Sequence, residues 1–340
     1  MTSYQLDVLL TESDLRRALQ EDVRAGFGAP PGGRTLPPKW FYDERGSKLF
    51  DEITRLPEYY PTRCERAILG ARAGRIMELV APSTLIELGS GTSEKTRLLL
   101  DAGRETVRTF TPFDVSESTL RSAAEDLSRR YPRLAVHAVA GDFERHLGHL
   151  ALLHSPGGPA GSGQSAARPP GPWLLAFLGS TIGNFEPQRR RAFLGAVAAA
   201  LSPGDWLLLG TDLVKDPARL VAAYDDGAGV TAEFNRNVLA VVNRELGGDA
   251  DLDRWAHVAR WDADQEWIEM RLRAQGRQTV NLFDLAMTVR FEDGEEVRTE
   301  ISAKFRRPGV SAELAAAGFE LREWWTDPAG DFGLSLSQRR

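Results

Sequence analysis

Three observations predict an α/β fold built on a parallel, doubly wound sheet. The first is Leu85-Ile86-Glu87-Leu88, a short apolar strand that runs into Gly89-Ser90-Gly91 and then into the helical Arg97–Leu100. Strand, glycine turn and helix together open a nucleotide-binding unit. The second is the alternation that follows: strand-like Phe110–Val115, Leu134–Ala140, Trp173–Leu178 and Gly204–Asp212, with a strong helix at Gln188–Leu201. The third is a change of period after Asp212, where short strands alternating polar and apolar residues appear. That alternation marks an antiparallel sheet with one face covered, so a second, smaller α+β unit is expected beside a Rossmann-like domain.

Taken in order, residues 1–35 are mostly polar, and Ser13–Arg24 fits one amphipathic helix capped by Thr11 or Ser13. Gly26–Gly33 reads as loop. Leu36–Asp43 is aromatic but follows Pro37-Pro38, which suits neither a helix nor a central strand. Gly46–Ile53 reads as helix, and Leu56–Arg63 sets Tyr59 and Tyr60 between two prolines. Residues 64–79 form a helix leading into the central strand, and 144–154 are helix or loop. Ser155–Pro172 is a Gly/Pro/Ser-rich tract that buries nothing and is expected as a flexible surface insertion between core strands. Residues 213–245 are mainly helical. Strands are expected at His257–Trp261, Trp267–Leu272, Leu285–Val289 and Val297–Ser302. Ala312–Phe319 is a helix closed by Gly318, and Leu321–Asp327 with Phe332–Leu336 return as the last hairpin of the core sheet.

Composition narrows the function. The 340 residues are 42% hydrophobic and 26% charged, which is ordinary globular chemistry with ample core. A net charge of -6 favours neither nucleic acid nor anionic membrane as a partner. A single cysteine, Cys64, rules out a disulfide within the chain and argues against a cysteine-based zinc site. No secretory signal or membrane-length apolar run is evident, so the expectation is a cytoplasmic enzyme, monomeric and without a metal.

The glycine turn lacks the third glycine of the dinucleotide fingerprint. Asp114 follows about twenty residues past the turn, at a strand end where such folds hold ribose hydroxyls. Asp142 stands beside Phe143, and an acid next to an aromatic suits an adenine, one accepting from its amine and the other packing on its ring. With Glu87, these acids at three successive strand ends resemble an S-adenosylmethionine (SAM) site. Gly179–Asn184 ends the fourth strand and therefore faces the ligand zone, where the Asn184 amide offers a donor and an acceptor.

Several longer strings then resemble one family. Thr35–Asp43, Ile53–Arg63, Glu87–Thr96, Phe177–Asn184, Gly210–Asp216, Phe234–Asn237 and Trp324–Asp327 are similar to the SAM-dependent L-histidine Nα-methyltransferases of ergothioneine biosynthesis. The similarity runs from about Arg16 to Leu336, and only the Ser155–Pro172 tract departs from it. It implies trimethylation of the histidine α-amine to give hercynine. It implies SAM contacts from Gly89, Lys95, Asp114, Asp142 and Phe143, with Glu87, Ser90 and Gly91 in the same turn. It implies histidine contacts from Tyr59, Asn184, Tyr224, Glu300 and Ser302, with Tyr42, Phe50, Gly179, Thr181 and Met270 lining the pocket. Tyr42, Tyr59 and Asn184 are the candidates for direct work on the amine. The implied domains are 64–213 plus 304–340 for SAM, and 1–63 plus 214–303 for histidine.

The residue types suit that chemistry. Positions 300 and 302 lie on one strand face, so a carboxylate and a hydroxyl can meet the two nitrogens of one imidazole. Asn184, Tyr59 and Tyr224 can hold a carboxylate, and no arginine is assigned to it. A methyltransferase acting on another amino acid or on a histidine derivative is the alternative. A SAM-binding module without catalysis is the reading from a different class.

Overall fold

The computed structural model describes residues 4–152 and 171–340, so residues 155–170 of the expected insertion lie outside the described residues. Strand β1 (Gln5–Val8) precedes α1 (Glu12–Gly28), whose start is set by a capping box. The Thr11 hydroxyl accepts from the Asp14 N–H at 3.1 Å, and the Thr11 N–H donates to the Asp14 carboxylate at 3.2 Å. The two prolines then allow only a 3₁₀ turn, Pro38–Phe41, before α2 (Glu44–Ile53). Helix α3 (Pro61–Val80) starts on a proline, whose missing N–H costs nothing there. After it come β2 (Thr84–Leu88), α4 (Thr96–Ala102), β3 (Thr109–Asp114), α5 (Glu117–Arg130), β4 (Ala135–Ala140) and α6 (Phe143–Leu152). The second half of the parallel unit is β5 (Trp173–Phe177), α7 (Pro187–Ala200) and β6 (Trp206–Asp212). Then follow α8 (Pro217–Ala222), α9 (Val230–Leu246), β7 (Trp255–Asp262), β8 (Trp267–Ala274), β9 (Gln278–Leu282), β10 (Met287–Phe291) and β11 (Glu296–Ala303). The chain closes with α10 (Arg307–Ala316), β12 (Phe319–Thr326) and β13 (Phe332–Arg339).

Among the described residues the large sheet has eight strands in the order β1-β4-β3-β2-β5-β6-β13-β12. It is parallel from β1 to β6, and β13 inserts antiparallel between β6 and β12. Every residue of β2 and β5 is buried, as central strands covered on both faces require. One face packs on Leu69, Ile76, Leu99 and Leu127. The other packs on Leu147, Phe193, Val197 and Leu314. A separate core joins Leu19, Phe27, Phe41 and Tyr59 to Phe234, Val238, Trp255, Met270 and Phe291. The N-terminal segment and the late insertion therefore share apolar packing although some 200 residues separate them.

Three expectations change. Strand β1 was not expected; four residues are too few for a period to show, yet Tyr4 and Leu6 pack on the large-sheet core. The single late antiparallel sheet is two: β11-β8-β7, and the hairpin β9-β10. The first hairpin strand was hidden by its polar start, because Gln278 is buried and its amide donates to the Arg254 carbonyl at 2.7 Å. The partner strand starts at Met287 rather than Leu285, since Phe283–Leu285 is a 3₁₀ turn and Ala286 sits at φ 49°.

One asparagine fastens these parts. Asn237 on α9 donates to the Phe41 carbonyl at 3.1 Å and to Asp43 at 2.8 Å, which holds the aromatic turn at the start of α2. Gly46 lets α2 approach that same carbonyl. A Cβ there would lie 1.7 Å from the Phe41 oxygen. Gly46→Ala should destabilise the protein by about 1–3 kcal/mol, the usual range for overpacking. Urea unfolding checks this, and an unchanged midpoint would mean that the approach constrains nothing.

Candidate active site

The glycine turn is held open by backbone conformation and by one carboxylate. Gly89 and Gly91 have φ of 66° and 48°, a region that side chains disfavour. Asp114 accepts from the Gly91 N–H at 2.9 Å and from the Ser116 N–H at 3.0 Å. Burial pushes its carboxyl up, against the pull of these N–H groups. Four buried polar atoms of this turn, Glu87 Oε2, Ser90 Oγ, Ser93 Oγ and Thr96 Oγ1, have no partner at full hydrogen-bond geometry among the described residues. Buried groups without partners are costly, so such a cluster marks a place that a polar ligand completes. Burial raises Glu87 to about 8, with Thr96 and Lys95 opposing.

The Phe143 ring lies over the turn, its edge 3.9 Å from where a Gly89 Cβ would be, and stands edge-on to Phe177 with centroids 5.5 Å apart. Asp142 accepts from the Glu144 N–H at 2.9 Å and lies 3.8 Å from the Lys39 ammonium. An aromatic face, carboxylates at successive strand ends, two left-handed glycines and unpartnered polar atoms fit the adenosine and amino-acid parts of SAM.

Lys95 is paired within the protein. It forms an ion pair with Glu65, a fully buried acid of α3. Glu65 also accepts from the Gly179 N–H at 2.8 Å. The Thr181 hydroxyl donates to the Leu178 carbonyl at 3.1 Å. Gly179 and Thr181 thus contribute shape, because their donors are engaged. Asn184 differs: its half-buried side chain makes no hydrogen bond to the described residues.

Beside the turn lies an aromatic enclosure. Tyr42 and Phe50 meet at 5.6 Å between centroids, Phe50 and Tyr59 at 6.1 Å, and Tyr59 and Tyr224 at 6.3 Å. Phe234 of α9 backs Tyr42 and Phe50. Burial, then the charge of Glu300, lifts the Tyr42 phenol well above its usual range, and Asp114 adds to the effect. Tyr42 therefore feels both the glycine-turn carboxylate and Glu300. Tyr59 and Tyr224 are raised in the same way, mainly by burial. All three remain protonated hydroxyls at neutral pH.

Strand β11 supplies the polar wall. A bulge between Arg298 and Glu300 sets the register, so that Glu300 pairs with Met270 and Ser302 with Ile268. The hydroxyl of the extra residue, Thr299, donates to the Asn235 amide oxygen at 2.6 Å and lies 3.1 Å from the Met270 carbonyl. From there Glu300, Ser302 and Lys304 follow at a spacing of two. Burial pushes Glu300 up to about 7, and Lys304 opposes this. The Tyr224 and Ser302 hydroxyls are 2.7 Å apart.

Asp212, Lys215, Lys304, Tyr60 and Glu65 were given no role from sequence. Lys304 donates to Tyr224 at 2.9 Å and Ser302 at 2.8 Å, and pairs with Asp212 at 2.9 Å. Tyr60 donates to Asp212 at 2.8 Å, and Lys215 bonds both. The spacing Glu300, Ser302, Lys304 was the one signal that could have found Lys304.

Fold and site together define an α/β SAM-dependent methyltransferase. Residues 19–339 match the profile of the family described as "Histidine-specific methyltransferase, SAM-dependent", and the chain belongs to that family. It is 55% identical to the histidine N-alpha-methyltransferase of Mycolicibacterium smegmatis, over 97% of this chain and 98% of that one. It is also 55% identical to the histidine N-alpha-methyltransferase of Mycobacterium tuberculosis, over 95% of each. Ergothioneine biosynthesis protein 1 of Schizosaccharomyces pombe is 33% identical over 72% of this chain and 31% of that one.

A carboxyl raised by burial contributes stability at low pH that is lost as pH rises through its folded value, here about 8. Ligand-free Glu87→Gln should therefore be more thermostable than the wild type at about pH 8, with the advantage gone near pH 5. Thermal melts at both pH values check this. An equal shift at both would mean that Glu87 is charged throughout.

Proposed function

We propose that this protein transfers methyl groups from SAM to the α-amine of L-histidine, three in succession, to give hercynine for ergothioneine biosynthesis. The observation that carries the reading is the 55% identity, over 97% of the chain, to a histidine N-alpha-methyltransferase. We place SAM on Glu87, Gly89, Ser90, Gly91, Lys95, Asp114, Asp142 and Phe143. We place histidine among Tyr42, Phe50, Tyr59, Gly179, Thr181, Asn184, Tyr224, Met270, Glu300 and Ser302. In the same reading, residues 64–213 plus 304–340 serve SAM, 1–63 plus 214–303 serve histidine, and the enzyme is a cytoplasmic monomer.

SAM, when bound, supplies a methyl group made electrophilic by its sulfonium. The task left to this chain is to present a neutral amine in line, and positioning alone supplies much of such an acceleration. An α-amine has a pKa near ~8, so a modest acceptor suffices to take its proton. Tyr59 and Asn184 orient the amine and carboxylate through hydrogen bonds. Tyr42, between Asp114 and Glu300, limits how far the amine stands from the cofactor turn. Phe50 and the tyrosine faces tolerate a cation, so the site accepts the growing ammonium without an ion pair that would stop it turning. Glu300 accepts from one imidazole nitrogen, and the Ser302 hydroxyl meets the other.

Mass spectrometry of purified protein with SAM and L-histidine should show a product heavier by three methyl groups, with S-adenosylhomocysteine formed alongside. SAM binding with unmodified histidine would remove the substrate assignment. Glu300→Ala should raise the KM for histidine on the order of tenfold or more, the scale of a lost hydrogen bond to a charged group, with S-adenosylhomocysteine affinity little changed. Equal loss of both would place Glu300 in the fold rather than the pocket.

A further inference from the structure

The pocket contains a buried cation that no substrate contact accounts for. Lys304 is fully shielded from solvent. Its ammonium carries three protons, and three acceptors surround it: Asp212 at 2.9 Å, Tyr224 at 2.9 Å and Ser302 at 2.8 Å. All three protons are therefore spent inside the protein. Asp212 is in turn shared with Lys215 and Tyr60, so two ammonium groups face this one carboxylate.

This fixes what the two hydroxyls can do. Each accepts from Lys304. They are also 2.7 Å apart, so one must donate to the other. Two hydroxyls bring two protons, one of which closes the triangle while the other points away from it. The pair can thus offer the pocket one donor. The hydroxyl that receives both bonds, from Lys304 and from its neighbour, has its lone pairs used and can only donate; without Lys304 it would keep one free to accept.

We propose that Lys304 is a positioning residue that leaves one hydroxyl of the Tyr224–Ser302 pair able only to donate toward the substrate. The inference rests on the histidine reading of the pocket. Glu300, two residues before Ser302 on the same strand face, is the matching acceptor. An acceptor beside a donor reads a ring with one N–H and one bare nitrogen, which is neutral imidazole. Lys304 also supplies from behind the hydroxyls the positive field that no arginine provides.

The test is a double-mutant cycle on the full chain. Wild-type turnover of histidine is measured first; if there is none, the reading of function fails before this one is reached. Lys304→Met should raise the KM for histidine on the order of tenfold or more, while S-adenosylhomocysteine binding stays within about twofold. In a Ser302→Ala, Tyr224→Phe background the same substitution should change the KM little, because the groups through which it acts are gone. Full additivity of the effects would overturn the proposal, as would parallel losses in S-adenosylhomocysteine binding. Should Lys304→Met fail to fold for want of a partner for Asp212, Lys304→Met with Asp212→Asn removes both charges together and carries the same cycle.

Discussion

Asp212 is the point on which the architecture turns. It ends β6, and its carboxylate holds Tyr60 from the entry to α3, Lys215 from the following loop and Lys304 from the end of β11. A carboxylate buried to 1% exposure is costly unless it is paired and hydrogen-bonded, and here every partner comes from a different segment. Satisfying one acid therefore draws the large sheet, the N-terminal aromatic segment and the small antiparallel sheet to one place. The acceptor pocket is what surrounds that meeting point.

Glu65 does the parallel service for the cofactor side. It lies on α3 beneath the glycine turn, takes the Gly179 N–H and pairs with Lys95. Gly210 on β6 has no side chain because the Glu65 carboxylate fills that space; a Cβ would meet Oε1 at 2.1 Å. The two buried acids thus divide the labour. One shapes the ends of β2 and β5, and the other shapes the ends of β6 and β11.

Much of this was legible in the residues. The parallel strands announced themselves as apolar runs ending in glycine or acid, and α1 through its cap at Thr11 or Ser13. The glycine turn, Asp114 and Phe143 lie where strand-end reasoning put them. What escaped notice has a common physical cause. Strand β1 and the start of β9 owe their burial to neighbours far along the chain, and no local period reports that. Asp212, Lys215 and Lys304 read as ordinary surface charges, because a charge looks the same in sequence whether water or another side chain compensates it. Glu65 is hidden in the same way within a helix of weak amphipathic pattern. The family strings implied a substrate contact for Asn184; the structure adds that its amide makes no hydrogen bond to the described residues.

The bulge at Thr299 has a further meaning. Before it, one set of alternate side chains faces the core; after it, parity is shifted by one, and Glu300, Ser302 and Lys304 turn together toward the pocket. In the proposed reading, selectivity for the acceptor rests on the reading frame of a strand as well as on its letters. Replacing any one of these residues edits one contact. Were Thr299 drawn into the ladder opposite Met270, every later residue would move one place along β8 and present Ile301 and Ala303 instead, an apolar wall with no acceptor, no donor and no buried cation behind it. A search for new acceptors on this scaffold can vary identity along β11 but must keep the bulge, which Asn235 and the Met270 carbonyl hold through the one residue that is out of step.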